Sequence, residues 1–172
     1  GTFRVVMMSD LQESSKYDPR SLRSVEVLLE ECKPDLVVLG GDNCYGPEIK
    51  SEQELIAFLD IFTAPMETRG IPWVHVYGNH DHDVPIPIER QQEIYESYSM
   101  CISQHTDVSV HGKSNFMIPV YNRKNEIALA IWGLDTNCSI DEFDCLIGGN
   151  ARKAALLPNA PVGNGHWGMI YF

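Results

Sequence analysis

Short apolar runs alternate along the chain with longer stretches whose apolar residues recur at helical spacing. Residues 3–8 are apolar and β-branched at their centre, which predicts a buried strand. A polar loop covers residues 12–19. From there to residue 32, Leu22, Val25, Leu28 and Leu29 fall on one face of a helix that Pro34 ends. Residues 35–39 form a second strand. Ser51, with Glu54 three positions on, has the spacing of a capping box. Leu55, Phe58, Leu59 and Phe62 then supply the buried face of a second helix, which ends before Gly70. Residues 71–76 read as a third strand, and residues 88–99 as a third helix after the extended excursion that Pro85 and Pro87 impose. A short strand fits within residues 105–112. Residues 115–121 and 126–132 form a hairpin across the polar turn 122–125. The second of these strands is nearly all apolar, which predicts a central position. Periodicity fades after Asn137, and residues 169–172 open a further element. Strand-helix-strand-helix-strand units favour right-handed crossovers and parallel pairing, so the class is α/β.

Composition narrows this picture. A chain of 172 residues with 44% hydrophobic and 22% charged residues is globular and long enough for one domain with a real core. Thirteen basic residues against twenty-four acidic ones give a formal charge of -11. A nucleic-acid surface is therefore not expected, because counterion release needs clustered Lys and Arg. No apolar run reaches the length of a membrane span. The five cysteines, 32, 44, 101, 138 and 145, are scattered and odd in number, which points to a reducing, cytoplasmic setting rather than a disulfide scaffold. No phosphate-loop lysine motif is present, so a plain nucleotide-binding domain lacks support.

Candidate chemistry gathers where the three strands end. The first apolar run closes on Asp10, the second on Gly40-Gly41-Asp42-Asn43, and the third on Tyr77-Gly78-Asn79-His80-Asp81-His82-Asp83. Open α/β sheets bind ligands beyond the carboxyl ends of their strands. Carboxylate, imidazole and amide-oxygen donors together suit Mg, Mn, Zn or Fe. A carboxylate shared by two metals about 3.5–4 Å apart offsets their mutual repulsion, and Asp42, on the middle of the three loops, is placed to bridge. His75 lies inside an apolar run and reads as a core or sheet-face histidine. His105 and His111 read as loop residues, and Met7 and Met8 as core packing.

These motifs resemble those of the calcineurin-like metallophosphoesterase superfamily. Asp10-Leu11-Gln12 corresponds to its opening Asp-x-His, and Gly41-Asp42 and Gly78-Asn79-His80-Asp81 to its next two motifs. The resemblance implies a four-layer α/β/β/α sandwich and two divalent or mixed-valence metal ions of Mn, Fe, Zn or Mg. It also implies in-line hydrolysis of a phosphate-ester substrate by a metal-bound hydroxide. Asp10 would ligate the first metal, Asp42 both and Asn79 the second. His80 would face the phosphate, and Asp81 would orient His80 by accepting its other ring proton. His82 and Asp83 would be rim residues. Gly41-Asp42-Asn43-Cys44-Tyr45 is similar to the Gly-Asp-x-x-Tyr motif of purple acid phosphatases, which makes Tyr45 a further candidate ligand.

The chain also departs from the pattern. Gln12, a weaker ligand, stands where many members have histidine. The Gly-His-x-His motif is missing, and His166 matches only its first half. The expectation is thus that residues 1–172 are a partial, apparently truncated metallophosphoesterase domain. The full-length protein would be a metal-dependent phosphoric ester hydrolase. The alternative is a catalytically impaired metallophosphoesterase-like binding scaffold. Apolar surface left open by the absent half would invite self-association.

Overall fold

The computed structural model describes residues 1–104 and 112–135 and the strand Met169–Tyr171. It is a mixed α/β fold with two sheets and a layer of helices. The first sheet joins β1 (Val5–Met8), β2 (Leu36–Leu39) and β3 (Trp73–His75) in that order, all parallel. The second joins β4 (Phe116–Tyr121), β5 (Ile127–Leu134) and β6 (Met169–Tyr171), all antiparallel. These layers correspond to the expected sandwich architecture. The short strand expected within residues 105–112 falls on residues 105–111, and the tail expected after Asn137 on residues 136–168, so that both, with His105, His111 and His166, lie outside the described residues.

The crossovers are helices whose ends are written in the sequence. Helix α1 (Pro19–Cys32) starts with Pro at its first position, where the missing N–H costs nothing. Asp18 caps it by accepting the Arg20 N–H. It ends at Lys33 in left-handed backbone. Helix α2 (Glu52–Glu67) is capped by Ser51 Oγ, which accepts the Glu54 N–H. The Glu54 carboxylate reaches back to the Lys50 N–H, one residue before the cap. Helix α3 (Ile88–Glu96) is shorter than its apolar spacing predicts and gives way to turns before Cys101.

Alternation along β2 divides the core in two. Val37 and Leu39 pack with Val25, Leu29, Leu55, Phe58, Phe62 and Trp73 under the helices. Leu36 and Val38 face the other way, against Val74 and Ile131, with Phe116, Ile118 and Val120 alongside. The helical layer and the second sheet thus cover opposite faces of the first sheet, and β2 is buried throughout.

Two expectations are corrected. Residues 3–8 do not form a wholly buried strand, because β1 is covered on one face only: Val6 and Met8 are buried, but Met7 is exposed, as is Phe3 ahead of the strand. Strand β5 is central in its sheet as expected, yet Trp132 and Ile127 stand largely exposed on it.

Candidate metal centre

The three strand-end loops are knitted together by their own backbone. The Asp10 N–H donates to Gly41 O at 3.0 Å and the Gln12 N–H to Asp42 O at 2.9 Å. The Tyr45 N–H donates to Glu13 O at 2.8 Å. Asp10, Gln12 and Asp42 all adopt positive φ, of 57°, 43° and 49°. Non-glycine residues held in left-handed backbone cost energy, and such strain gathers at functional sites. The loop after β3 closes the arrangement: the His80 N–H donates to Asp42 Oδ1 at 2.8 Å. Gly78 makes that approach possible, since a Cβ there would stand 2.2 Å from Asp42 Oδ1.

Beneath this surface Asp81 acts as a clamp. It is fully buried. One oxygen accepts the N–H groups of Asn43 and Cys44 at 2.9 and 3.1 Å, and the other accepts the Gly78 N–H at 2.8 Å. Burial pushes its carboxyl up to about 7, while the three backbone donors oppose that by favouring the charged form. Gln91, also buried, donates to the Asp81 and Ile86 carbonyls. The loops that carry Asp42 and Asn79 are therefore fastened to each other from below.

The expected contact between Asp81 and His80 is replaced by another: Asp81 accepts backbone N–H groups on both oxygens, and the His80 Nδ1 turns to a different carboxylate. The partner of His80 is Asp83, with Oδ2 at 2.7 Å from Nδ1. That hydrogen bond holds the imidazole pKa above its ordinary value. The signal for it lay in the sequence: His80 and Asp83 are three residues apart, and residues at that spacing eclipse in a 3-10 turn, which residues His80–Asp83 form.

Other candidates take clear places. Asp10 is exposed and accepts the Ser9 hydroxyl, and Gln12 is exposed beside it. Asp42 is buried and Asn79 lies at the rim. Tyr45 is exposed at the start of the 3-10 turn Gly46–Glu48. His75 is the core histidine its apolar setting predicts. It is stacked on Tyr95 and bonded to Gln92 and Ser103, and burial pushes it down to about 3.

Whether this set fits a metal is decided by its donors. Asp10, Asp42 and Asn79 are brought to one end of the sheet. Among the described residues, however, no three His, Cys, Asp or Glu side chains come together as a metal-ligand group. Two carboxylates and an amide form only part of a ligand set, and one Asp42 oxygen already accepts a backbone N–H. The described residues therefore do not fit a complete two-metal centre.

Comparison with known proteins agrees with the motifs. Residues 3–153 match the calcineurin-like phosphoesterase family. The chain is 28% identical over 144 residues to phosphatase DCR2 of Saccharomyces cerevisiae, which covers 73% of this chain and 25% of that protein. It is 35% identical over 72 residues to the probable inactive purple acid phosphatase 14 of Arabidopsis thaliana, covering 42% and 18%. It is also 35% identical over 81 residues to the uncharacterized metallophosphoesterase YkuE of Bacillus subtilis, covering 46% and 27%. The chain thus spans about a quarter or less of the length of these relatives. Among the described residues no helix is long and apolar enough to cross a membrane.

Proposed function

The chain belongs to the calcineurin-like phosphoesterase family, and we propose that residues 1–172 act within it as a metallophosphoesterase-like binding scaffold that is catalytically impaired. One observation carries this reading: the strand ends hold Asp10, Asp42 and Asn79 together, but among the described residues no three-residue His, Cys, Asp or Glu cluster completes the site. Gln12, at the position where the resemblance leads one to expect histidine, weakens the set further. Several relatives carry names that point the same way, such as probable inactive purple acid phosphatases 14 and 28. On this reading Asp10, Asp42 and Asn79 retain a metal ion weakly. His80 offers an imidazole to a phosphate-type ligand at the rim, and the bound ligand is not turned over.

A second reading is favoured by the strand ends themselves. Left-handed backbone at Asp10, held by the Gly41 carbonyl, and at Asp42, beside the Asn43 N–H that Asp81 accepts, is a costly arrangement for loops with no ligand to hold. In that reading the whole protein hydrolyses a phosphate ester, with further ligand residues and two metal ions supplying the nucleophile. Titration of the full-length protein, beside the 172-residue chain, with Mn²⁺ by calorimetry, followed by p-nitrophenyl phosphate turnover by each, separates the two. Weak metal uptake without turnover supports the scaffold. Uptake of two metals with turnover above a metal-only blank overturns it in favour of the enzyme.

A further inference from the structure

The turn His80–Asp83 carries two carboxylates with opposite tasks. Asp81 is buried and bonded to three backbone N–H groups. Asp83 is partly exposed and bonded to the His80 ring. We propose that Asp83 is the positioning residue for His80: by accepting the Nδ1 proton it fixes the ring's orientation and tautomer and leaves Nε2 as the atom presented to a ligand. The ligand half of this statement rests on the reading of the site given above. The positioning half rests on geometry alone.

Two observations carry it. The 3-10 turn stacks residue i over residue i+3, so the backbone itself sets Asp83 beside His80. Asp83 is in turn backed by Gly46 on the neighbouring turn Gly46–Glu48. Gly46 is buried, and a Cβ there would stand 2.5 Å from Asp83 Cβ and 2.8 Å from its carbonyl carbon. Glycine at position 46 thus lets the two turns touch at the residue that holds the imidazole. A carboxylate on one ring nitrogen decides which nitrogen carries the proton and what the other can do. With Nδ1 donating to Asp83, Nε2 accepts a hydrogen bond in the neutral ring and donates one in the charged ring.

The test reads the tautomer directly. The chain is labelled with ¹⁵N-histidine, and long-range ¹H–¹⁵N spectra are recorded above the titration range of the ring, with His80→Gln to assign the signals. The wild type is expected to show Nδ1 protonated and Nε2 bare. Asp83→Ala should switch the major form to Nε2–H, which free imidazole side chains prefer. Asp83→Asn keeps an acceptor oxygen and should retain the Nδ1–H form. Gly46→Ala should produce the switch with Asp83 still present. The amide signals of Asn43, Cys44 and Gly78, bonded to Asp81, report in the same samples that the loops are intact. A wild-type ring in the Nε2–H form, or a tautomer that Asp83→Ala leaves unchanged, overturns the proposal. No metal or ligand is needed, so a failure of Mn²⁺ to bind counts against the scaffold reading and leaves this test untouched.

Discussion

Strands β2 and β5 are each the middle strand of a three-stranded sheet, yet they live in different surroundings. Every residue of β2 is buried, because helices cover one face and the second sheet covers the other. Of the eight residues of β5, only Ile131 and Gly133 are buried, and Trp132 is 49% exposed. Position within a sheet and cover over its faces are separate properties. An apolar run reports that a strand avoids water somewhere, but not on how many sides. Stability and site geometry therefore reside in the first sheet and its fastened loops, while among the described residues the outer face of β4 and β5 stands exposed.

The contrast breaks most sharply at Asp81. Asp81→Ala leaves three buried N–H groups without acceptors, and each orphaned donor costs about 1–3 kcal/mol. The expected result in urea denaturation is a chain close to unfolded at room temperature. Loss of less than about 1 kcal/mol, below the lower bound for one orphaned donor, would show that the clamp is dispensable. Phe58→Ala tests the packing half of the same region. Phe58 is 1% exposed beneath the first sheet, and truncation of a buried Phe costs about 3–5 kcal/mol. The urea midpoint of Phe58→Ala checks it, and a loss below about 1 kcal/mol would place Phe58 outside the packing that holds the first sheet.

The residues that could be read in advance are those whose role depends on local spacing or on one strong preference. Strands β1 to β3, the Ser51 cap, the hairpin and the core setting of His75 all follow from periodicity and neighbouring residue types. So does the grouping of Asp10, Asp42 and Asn79 at one end of a parallel sheet. What stayed hidden depends on which of two neighbouring acids faces inward. Asp81 and Asp83 are chemically the same, and only the 3-10 turn, with Gly46 packed against it, sends one to the backbone and the other to the ring. Cover is equally invisible locally: Met7 and Met8 point to opposite faces of β1, and only the face that carries Met8 is covered there.

A smaller effect sharpens the comparison through pH. His75 is neutral and buried in the fold, at about 3, against an ordinary value of 6.5. Above pH 6.5 neither folded nor unfolded chain binds this proton, and no penalty arises. Below it the unfolded chain takes up the proton and the fold does not. Stability should thus fall as pH drops, by about 1.4 kcal/mol per unit from this group. The buried Asp81, raised to about 7, acts in the opposite sense: its fold binds a proton that the unfolded chain gives up between 3.8 and 7, so stability rises as pH falls. The difference between wild type and His75→Gln isolates the histidine. Between pH 7 and pH 5 the wild type should lose about 2 kcal/mol relative to the variant, and a parallel pair of curves would show that the ring protonates within the fold.

The smallest expected effect on stability lies on the open face of the second sheet. Met117 and Trp132 are cross-strand neighbours there, 44% and 49% exposed, with exposed Tyr121 and Ile127 also facing each other toward the hairpin end. Trp132→Ser removes little buried area, and surface substitutions of this kind stay within about 0.5 kcal/mol. Its effect belongs to association instead. Contiguous exposed apolar side chains favour contact between copies, so the wild type should show a weight-average mass that rises with concentration in sedimentation equilibrium. Trp132→Ser combined with Met117→Ser should flatten that rise while leaving the urea midpoint in place. A wild type that remains a monomer at high concentration would mean that the open face is too small or too interrupted to act as an interface. The difference between β2 and β5 would then be one of cover alone, without consequence for assembly.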